Sequence, residues 1–265
     1  MTRLGAAALI PSAARAAAPT CGGTGSGLGI LRLLADDHAH AGGASVDMVP
    51  SLGSPGGLAA LRAGRLDLAI AAGPPPAVML AAGYRSRPLA RTPVVIATHP
   101  AAGVSTLTSE AAGRLLSGAD RAWPGGGAVR PIRRERVESE WAVLRGALPR
   151  IAPLLGGAGP AGSLVVLSAQ ENLAAIAMIT GAVGVTTVGQ VGTEAAAVQV
   201  PAIDGLAPSA PALAAGAWRP ALSLHLVWRD PAPAPLAAFL AHLDGPSAAA
   251  LLARYAYISL EHATA

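Results

Sequence analysis

The sequence contains no lysine, so all 19 of its basic residues are arginine. This absence excludes a Walker-type phosphate loop, which needs a lysine after its glycines, and any Schiff-base chemistry on a lysine amine. Charged residues make up only 13% of the chain, against a usual share of about 25%. Because the net charge is just +4 over 265 residues, we expect no nucleic-acid partner.

Cysteine and aromatic residues are also scarce. The single cysteine, Cys21, excludes an intrachain disulfide and a cysteine-rich zinc site. With one Phe, three Tyr and four Trp, the core must be built from closely packed Ala, Leu and Val side chains. The apolar share of 52% excludes a disordered chain. The length allows one large domain or two small ones.

Residues 1–18 have the layout of a secretory signal peptide. Arg3 gives a basic start, Leu4 to Ala14 is an uncharged run, and small-x-small cleavage patterns follow up to Ala18. The alternative is an alanine-rich leader with no targeting role. We expect export to the periplasm. The later uncharged stretch 172–193 contains Thr, Gln and Gly, so we interpret it as a helix followed by a buried strand and not as a membrane span.

After the leader, strand-type and helix-type segments alternate, which predicts an α/β fold with mainly parallel sheets. Strands are expected at 46–50, 66–72, 88–98, 128–134, 164–167, 182–188, 196–201 and 222–228. Helices are expected at 28–41, 54–62, 108–117, 137–148, 168–179, 236–243 and 246–255. Proline-rich breaks near 73–90 and 205–220 mark places where the chain can pass between two lobes.

Two glycine-rich loops precede predicted helices. The loop 22–29 does not match the G-x-G-x-x-G spacing of a dinucleotide site. In the second loop, Ser54 is predicted to be the N-cap and Pro55 the first helical residue. Such helix starts present free N–H groups and a positive dipole end, which suit an anion. The other interpretation, that both loops are only tight turns, is equally compatible with these residues.

Five segments occur in an order and spacing typical of one protein family. They are GGTGSGLGILRLLADDH, VDMVPSLGSPGGLAALRAGRLDLAIAAG, the stretch around Trp123, SAQENLAAIAMITGAVGVTTVGQV and APALAAGAWRPALSLHLVW. In these segments the chain resembles the phosphate-type (type II) periplasmic solute-binding proteins of ABC importers. The resemblance implies a two-lobed α/β fold, each lobe a mixed, mostly parallel sheet flanked by helices. Lobe 1 would comprise 19–95 and 196–265, and lobe 2 would comprise 96–195.

The resemblance also implies a binding site for a small oxyanion between the lobes. Ser26 and Ser54 would offer hydroxyl and N–H groups, and Arg134, beside Arg133, would form a bidentate contact from the second lobe. The full set of expected ligand-binding residues is Thr24, Gly25, Ser26, Ser54, Gly56, Arg134 and Ser139.

The sequence departs from the family pattern in two places. Glu138, Ser139 and Glu140 stand where the family has Ser-Gly-Thr, and the segment Ala71–Gly73 lacks the expected aspartate. Carboxylates beside a phosphate would repel it. Either Glu138 and Glu140 point away, or the alignment slips, or the solute is not free phosphate.

Two further clusters have residue types that could hold a metal or act as an acid and a base. The run Asp36–His40 has metal-ligand residue types, but we expect it to be the solvated end of the first helix. Glu135, Glu138 and Glu140 are expected to pair with arginines on a solvated helix face. We therefore expect no catalytic residue, no metal and no cofactor.

The implied function is a monomeric, non-enzymatic binding protein that delivers a phosphate-like oxyanion to the membrane permease of an ABC importer. The alternative is a ligand-sensing or regulatory module of the same fold that is not coupled to transport.

Overall fold

The computed structural model describes residues 17–134, 139–148, 150–151 and 164–260. The predicted signal peptide up to residue 16, and with it Glu135 and Glu138, lies outside the described residues.

Among these residues, eight strands follow one another along a single sheet in the order β2-β1-β3-β10-β4-β8-β6-β7, and β11 pairs with β4. The strands are β1 (Thr20–Gly23), β2 (Asp47–Met48), β3 (Leu68–Ala72), β4 (Tyr84–Thr98), β5 (Thr106–Leu107), β6 (Arg130–Arg134), β7 (Leu164–Val166), β8 (Ala182–Thr187), β9 (Ala202–Ile203), β10 (Ala221–Arg229) and β11 (Ile258–Ser259). The short strands β5 and β9 form a separate parallel pair.

In the part of the chain that the structure describes, ten α-helices flank the sheet. They are α1 (Gly25–His40), α2 (Gly53–Arg62), α3 (Ala77–Ala81), α4 (Ser109–Ser117), α5 (Ser139–Ala147), α6 (Ala169–Met178), α7 (Val188–Thr193), α8 (Ala210–Ala214), α9 (Ala234–His242) and α10 (Pro246–Arg254). Among the described residues no single helix is long and apolar enough to span a membrane; only α9 and α10 taken together, bent by 63°, have the length and composition.

The strand β4 runs through both halves of the sheet. It pairs with β10 as far as Pro93 and with β8 from Val94 onward. Proline has no N–H to give to a ladder, so Pro93 is suited to the position where the pairing changes partner. We call the half containing β2, β1, β3 and β10 the first lobe, and the half containing β8, β6 and β7 the second lobe.

Parallel pairing dominates away from the centre. The strand β1 is parallel to β2 and β3, and β6 is parallel to β7 and β8. Antiparallel pairs join β10 to β3 and β4, and β4 to β8. The predicted mixed α/β architecture is therefore confirmed, while the exact lobe boundaries stay a prediction.

Most predicted elements are present, with three corrections. The first helix begins at Gly25, not at 28, because the glycine-rich loop itself forms its first turn. The predicted strand 196–201 is wrong, since only Gln199 forms an isolated bridge, to Thr98, before the short β9. The second helix begins at Gly53 with Leu52 as its N-cap.

Candidate functional site

The end of β1 leads directly into the first turn of α1. Gly23 has φ of 138°, and a Cβ there would lie 2.0 Å from the Ile70 carbonyl oxygen. Only glycine fits such an approach. The next residue, Thr24, donates its N–H to the same Ile70 oxygen at 2.8 Å. The start of α1 is thereby fixed at the carboxyl edge of β1 and β3.

This helix start receives no cap from its own segment. The Thr24 side chain makes no capping hydrogen bond, and the first turn of α1 contains no acidic residue. By contrast, Thr108 and Ser168 each accept a backbone N–H at the start of α4 and α6. The positive end of the α1 dipole is therefore available to a negative group from elsewhere.

That negative group is Glu140, in the first turn of α5. The Ser26 hydroxyl of α1 donates to Glu140 Oε1, and Arg134 Nη1, at the end of β6, lies 3.6 Å from the same oxygen. The side chains of Arg134 and Glu140 are 6% and 3% exposed. Ser26 and Arg134, 108 residues apart in the chain, thus converge on one carboxylate oxygen.

Two side chains donate hydrogen bonds to carbonyl oxygens in the first turn of α1. The Tyr257 hydroxyl donates to the Ser26 carbonyl oxygen at 3.2 Å, and Gln170 Nε2 donates to the Gly25 carbonyl oxygen at 2.7 Å. Burial raises the pKa of the Tyr257 phenol, so the hydroxyl stays protonated and keeps donating. Neither residue was anticipated from the sequence, which gave no signal for Tyr257 beyond its aromatic type.

The prediction that Ser54 is the N-cap of the second helix is wrong. Ser54 lies inside the first turn of α2, and its hydroxyl accepts the backbone N–H of Ala72, at the end of β3, at 2.9 Å. It therefore ties α2 to the sheet edge instead of capping its own helix. Glycine at position 57 allows α2 to pack this closely against the end of β1, because a Cβ there would lie 2.6 Å from the Gly23 Cα.

Of the predicted ligand-binding residues, Ser26 and Arg134 are brought together. Thr24 and Gly25 precede Ser26 on the same turn, and Ser139 begins α5 beside Glu140. Gly56 lies with Ser54 on α2. Their roles as solute ligands stay predictions.

The expectation that Glu140 lies on a solvated helix face is wrong. Glu140 is 2% exposed and points at Ser26. Of the three possibilities raised for the carboxylates, pointing away is excluded for Glu140.

A cavity of about 690 Å³ opens beside α1, between the lobes. Its walls include Arg32 and Leu33 of α1, Ser51, and Gln170 at the start of α6. Glu194 also lines it, and burial raises the pKa of this carboxyl. The cavity runs along α1 from Leu28 to Leu33, and Ser26, Arg134 and Glu140 are not among its lining residues.

The run Asp36–His40 is tied into the fold. Asp37 Oδ2 accepts hydrogen bonds from His242 Nε2 at 2.8 Å and from the Ser247 hydroxyl, and these bonds lower the pKa of Asp37. His38 is buried against Phe239. Within the described ranges, no group of three potential metal ligands is assembled.

The comparisons with known proteins give a consistent fold. No protein-family model matches the chain, and no curated protein matches its sequence. Many solved structures are similar in fold, among them three proteins named for phosphate transport or phosphate binding. A protein with bound phosphate from Clostridium perfringens, described as a phosphate ABC transporter substrate-binding protein, has a TM-score of 0.76 at 14% identity, covering 92% of this chain and 100% of its own.

The second similar structure, an ABC-type phosphate transport receptor from Vibrio cholerae, has a TM-score of 0.60 at 20% identity, covering 91% of this chain and 100% of its own. The third, a phosphate-binding protein from Stenotrophomonas maltophilia, has a TM-score of 0.64 at 15% identity, covering 93% of this chain and 91% of its own.

The fold is that of a periplasmic solute-binding protein. This confirms the predicted two-lobed, type II architecture. Ser26 follows β1 in the half of the sheet called the first lobe, Arg134 ends β6 in the second, and both contact Glu140 of α5.

Proposed function

We propose that this protein is a solute-binding protein that captures a small, phosphate-like oxyanion between its two lobes. In this proposal it is a monomer of the periplasm, exported by its N-terminal segment, with lobe 1 comprising 19–95 and 196–265 and lobe 2 comprising 96–195. It is a binding protein, not an enzyme.

One observation carries the proposal. Ser26 and Arg134, from opposite lobes, converge on a single anionic oxygen, that of Glu140. A hydroxyl at an uncapped helix N-terminus and a buried guanidinium are together an anion-binding pair. The Glu140 carboxylate stands in for one oxygen of a bound oxyanion. A solute that reaches both groups stabilises the closed cleft through contacts that exist only when the lobes meet.

The neighbours support a role in import. The Clostridium perfringens protein holds phosphate and is described as an ABC transporter component, and the Vibrio cholerae protein is a phosphate transport receptor. This favours delivery to a membrane permease over a sensory module of the same fold.

The test is a binding measurement with phosphate, sulfate, molybdate and tungstate by isothermal calorimetry. Arg134→Ala should weaken binding of the best oxyanion by about 2–4 kcal/mol, or roughly 30- to 700-fold, as for removing one partner of a buried charge-assisted contact. The measurement is made at a temperature at which circular dichroism shows the variant folded.

Arg114→Ala is the matched control. Arg114 lies on α4 of the second lobe and pairs with Asp120 at 2.5 Å on the surface, so its removal should leave oxyanion affinity unchanged. Equal affinity of the Arg134→Ala variant and the unmodified protein would remove Arg134 from the site and overturn the proposal.

A further inference from the structure

We infer that Glu140 is a tethered competitor of the solute, an internal ligand that closes the cleft in the absence of solute and sets how strong an oxyanion must be to enter. This inference rests on the proposed oxyanion site, and it makes Glu140 the residue that determines affinity and specificity there.

The geometry places the Glu140 carboxylate where a solute oxygen is expected. Glu140 Oε1 accepts from the Ser26 hydroxyl across the cleft and lies 3.6 Å from Arg134 Nη1 on its own lobe. All three side chains are nearly inaccessible to solvent. A solute oxygen can make the same two contacts only after this carboxylate has left.

The surroundings explain why a carboxylate is held at this position. The first turn of α1 has neither a side-chain cap nor an acidic residue, so its positive end attracts the nearest anion. Glu140, in the first turn of α5, lies close to Arg134 because β6 ends at Arg134, only a few residues earlier in the chain. The contact between the two lobes is therefore the hydrogen bond from the Ser26 hydroxyl to the Glu140 carboxylate, at the positive end of α1.

Competition follows from this overlap. A protein whose binding-competent state is a fraction of the population binds its ligand more weakly by that fraction. While Glu140 occupies the pair, only the open fraction accepts an oxyanion. In addition, a carboxylate that remains close to a bound anion repels it. Both effects act in the same direction. Removing the charge of Glu140 ends the repulsion and weakens the contact with Arg134 and α1, and removing the side chain ends both effects.

The experiment compares the unmodified protein, Glu140→Gln and Glu140→Ala. Gln keeps the volume of the side chain and removes its charge, and Ala removes the contact with Ser26 entirely. Small-angle scattering of each protein without added anion measures compaction, and calorimetry measures the affinity for inorganic phosphate. Glu110→Gln is the matched control, since Glu110 is also an acidic residue in the first turn of a second-lobe helix but is exposed.

We expect both Glu140 variants to have a larger radius of gyration without phosphate and to become compact when phosphate is added. Their affinity for phosphate should exceed that of the unmodified protein by about tenfold or more, the factor expected if the open fraction is a tenth or less. Glu110→Gln should match the unmodified protein in both measurements.

Each other outcome has a definite meaning. Unchanged compaction and affinity in both Glu140 variants would overturn the inference and leave the oxyanion site intact. Weaker phosphate binding in Glu140→Gln would also overturn it, because Glu140 would then contact the solute favourably. Expanded variants that bind none of phosphate, sulfate, molybdate or tungstate would support the internal contact and refute the proposed function.

Discussion

Truncation of Arg134 gives the sharpest test of the buried Arg134–Glu140 pair, because its effect on folding does not depend on knowing the solute. Arg134→Ala leaves the Glu140 carboxylate, 3% exposed, with the Ser26 hydroxyl but without the guanidinium. Removing one partner of a buried pair costs about 3–5 kcal/mol. The 3.6 Å separation of Nη1 and Oε1 exceeds the hydrogen-bond range, so we expect the lower end, about 3 kcal/mol.

The assay is urea unfolding followed by circular dichroism, completed as a double-mutant cycle with Glu140→Ala. A loss of about 3 kcal/mol corresponds to a fall in Tm of roughly 6–12 °C for a chain of this size. The double variant buries no unpaired charge, so it should be at least about 1 kcal/mol more stable than the sum of the single effects predicts. Additivity within about 0.5 kcal/mol would refute the reasoning.

Three further predictions concern stability. Tyr257→Phe removes the hydroxyl that donates to the Ser26 carbonyl oxygen and should lower the unfolding free energy by about 1 kcal/mol, measured in urea. Ser168→Ala removes half of the α6 capping box and should cost about 1 kcal/mol in the same assay. Burial and the neighbouring His242 lower the pKa of His38, so the unfolded chain takes up a proton first. Stability is then full above the ordinary histidine pKa of about 6.5 and falls as the pH drops below it. His38→Leu should reduce the difference in Tm between pH 7.5 and pH 5; an unchanged difference would contradict this.

The elements that could be predicted from the sequence are those fixed by neighbouring residues. Thr108 caps α4 and Gly118 ends it in the left-handed conformation, in agreement with the helix predicted at 108–117. The helix predicted at 168–179 likewise begins with a capping box, formed by Ser168 and Glu171. Such caps need only three or four residues to form, so a single sequence contains all the information.

The errors arise where a side chain has a choice of partners far apart in the chain. Ser54 has the residue type of an N-cap, but its hydroxyl accepts from Ala72, 18 residues later. The charged residues around Glu140 predict a solvated helix face, yet its carboxylate accepts a hydrogen bond from Ser26, which is 114 residues away in the chain. Periodicity and spacing record neither contact, because each depends on how separate elements pack: α2 against β3 for Ser54, and α1 against α5 for Glu140.

The fifteen-residue strand β4 has a consequence for folding. Its first part completes the ladder with β10 and its last part completes the ladder with β8, so each lobe's sheet needs a segment of the same strand. A strand edge without its neighbour leaves backbone groups unpaired. The two lobes should therefore unfold in one cooperative transition, even though the chain is long enough for two independent domains. Cutting the backbone near Pro93 should unfold both lobes.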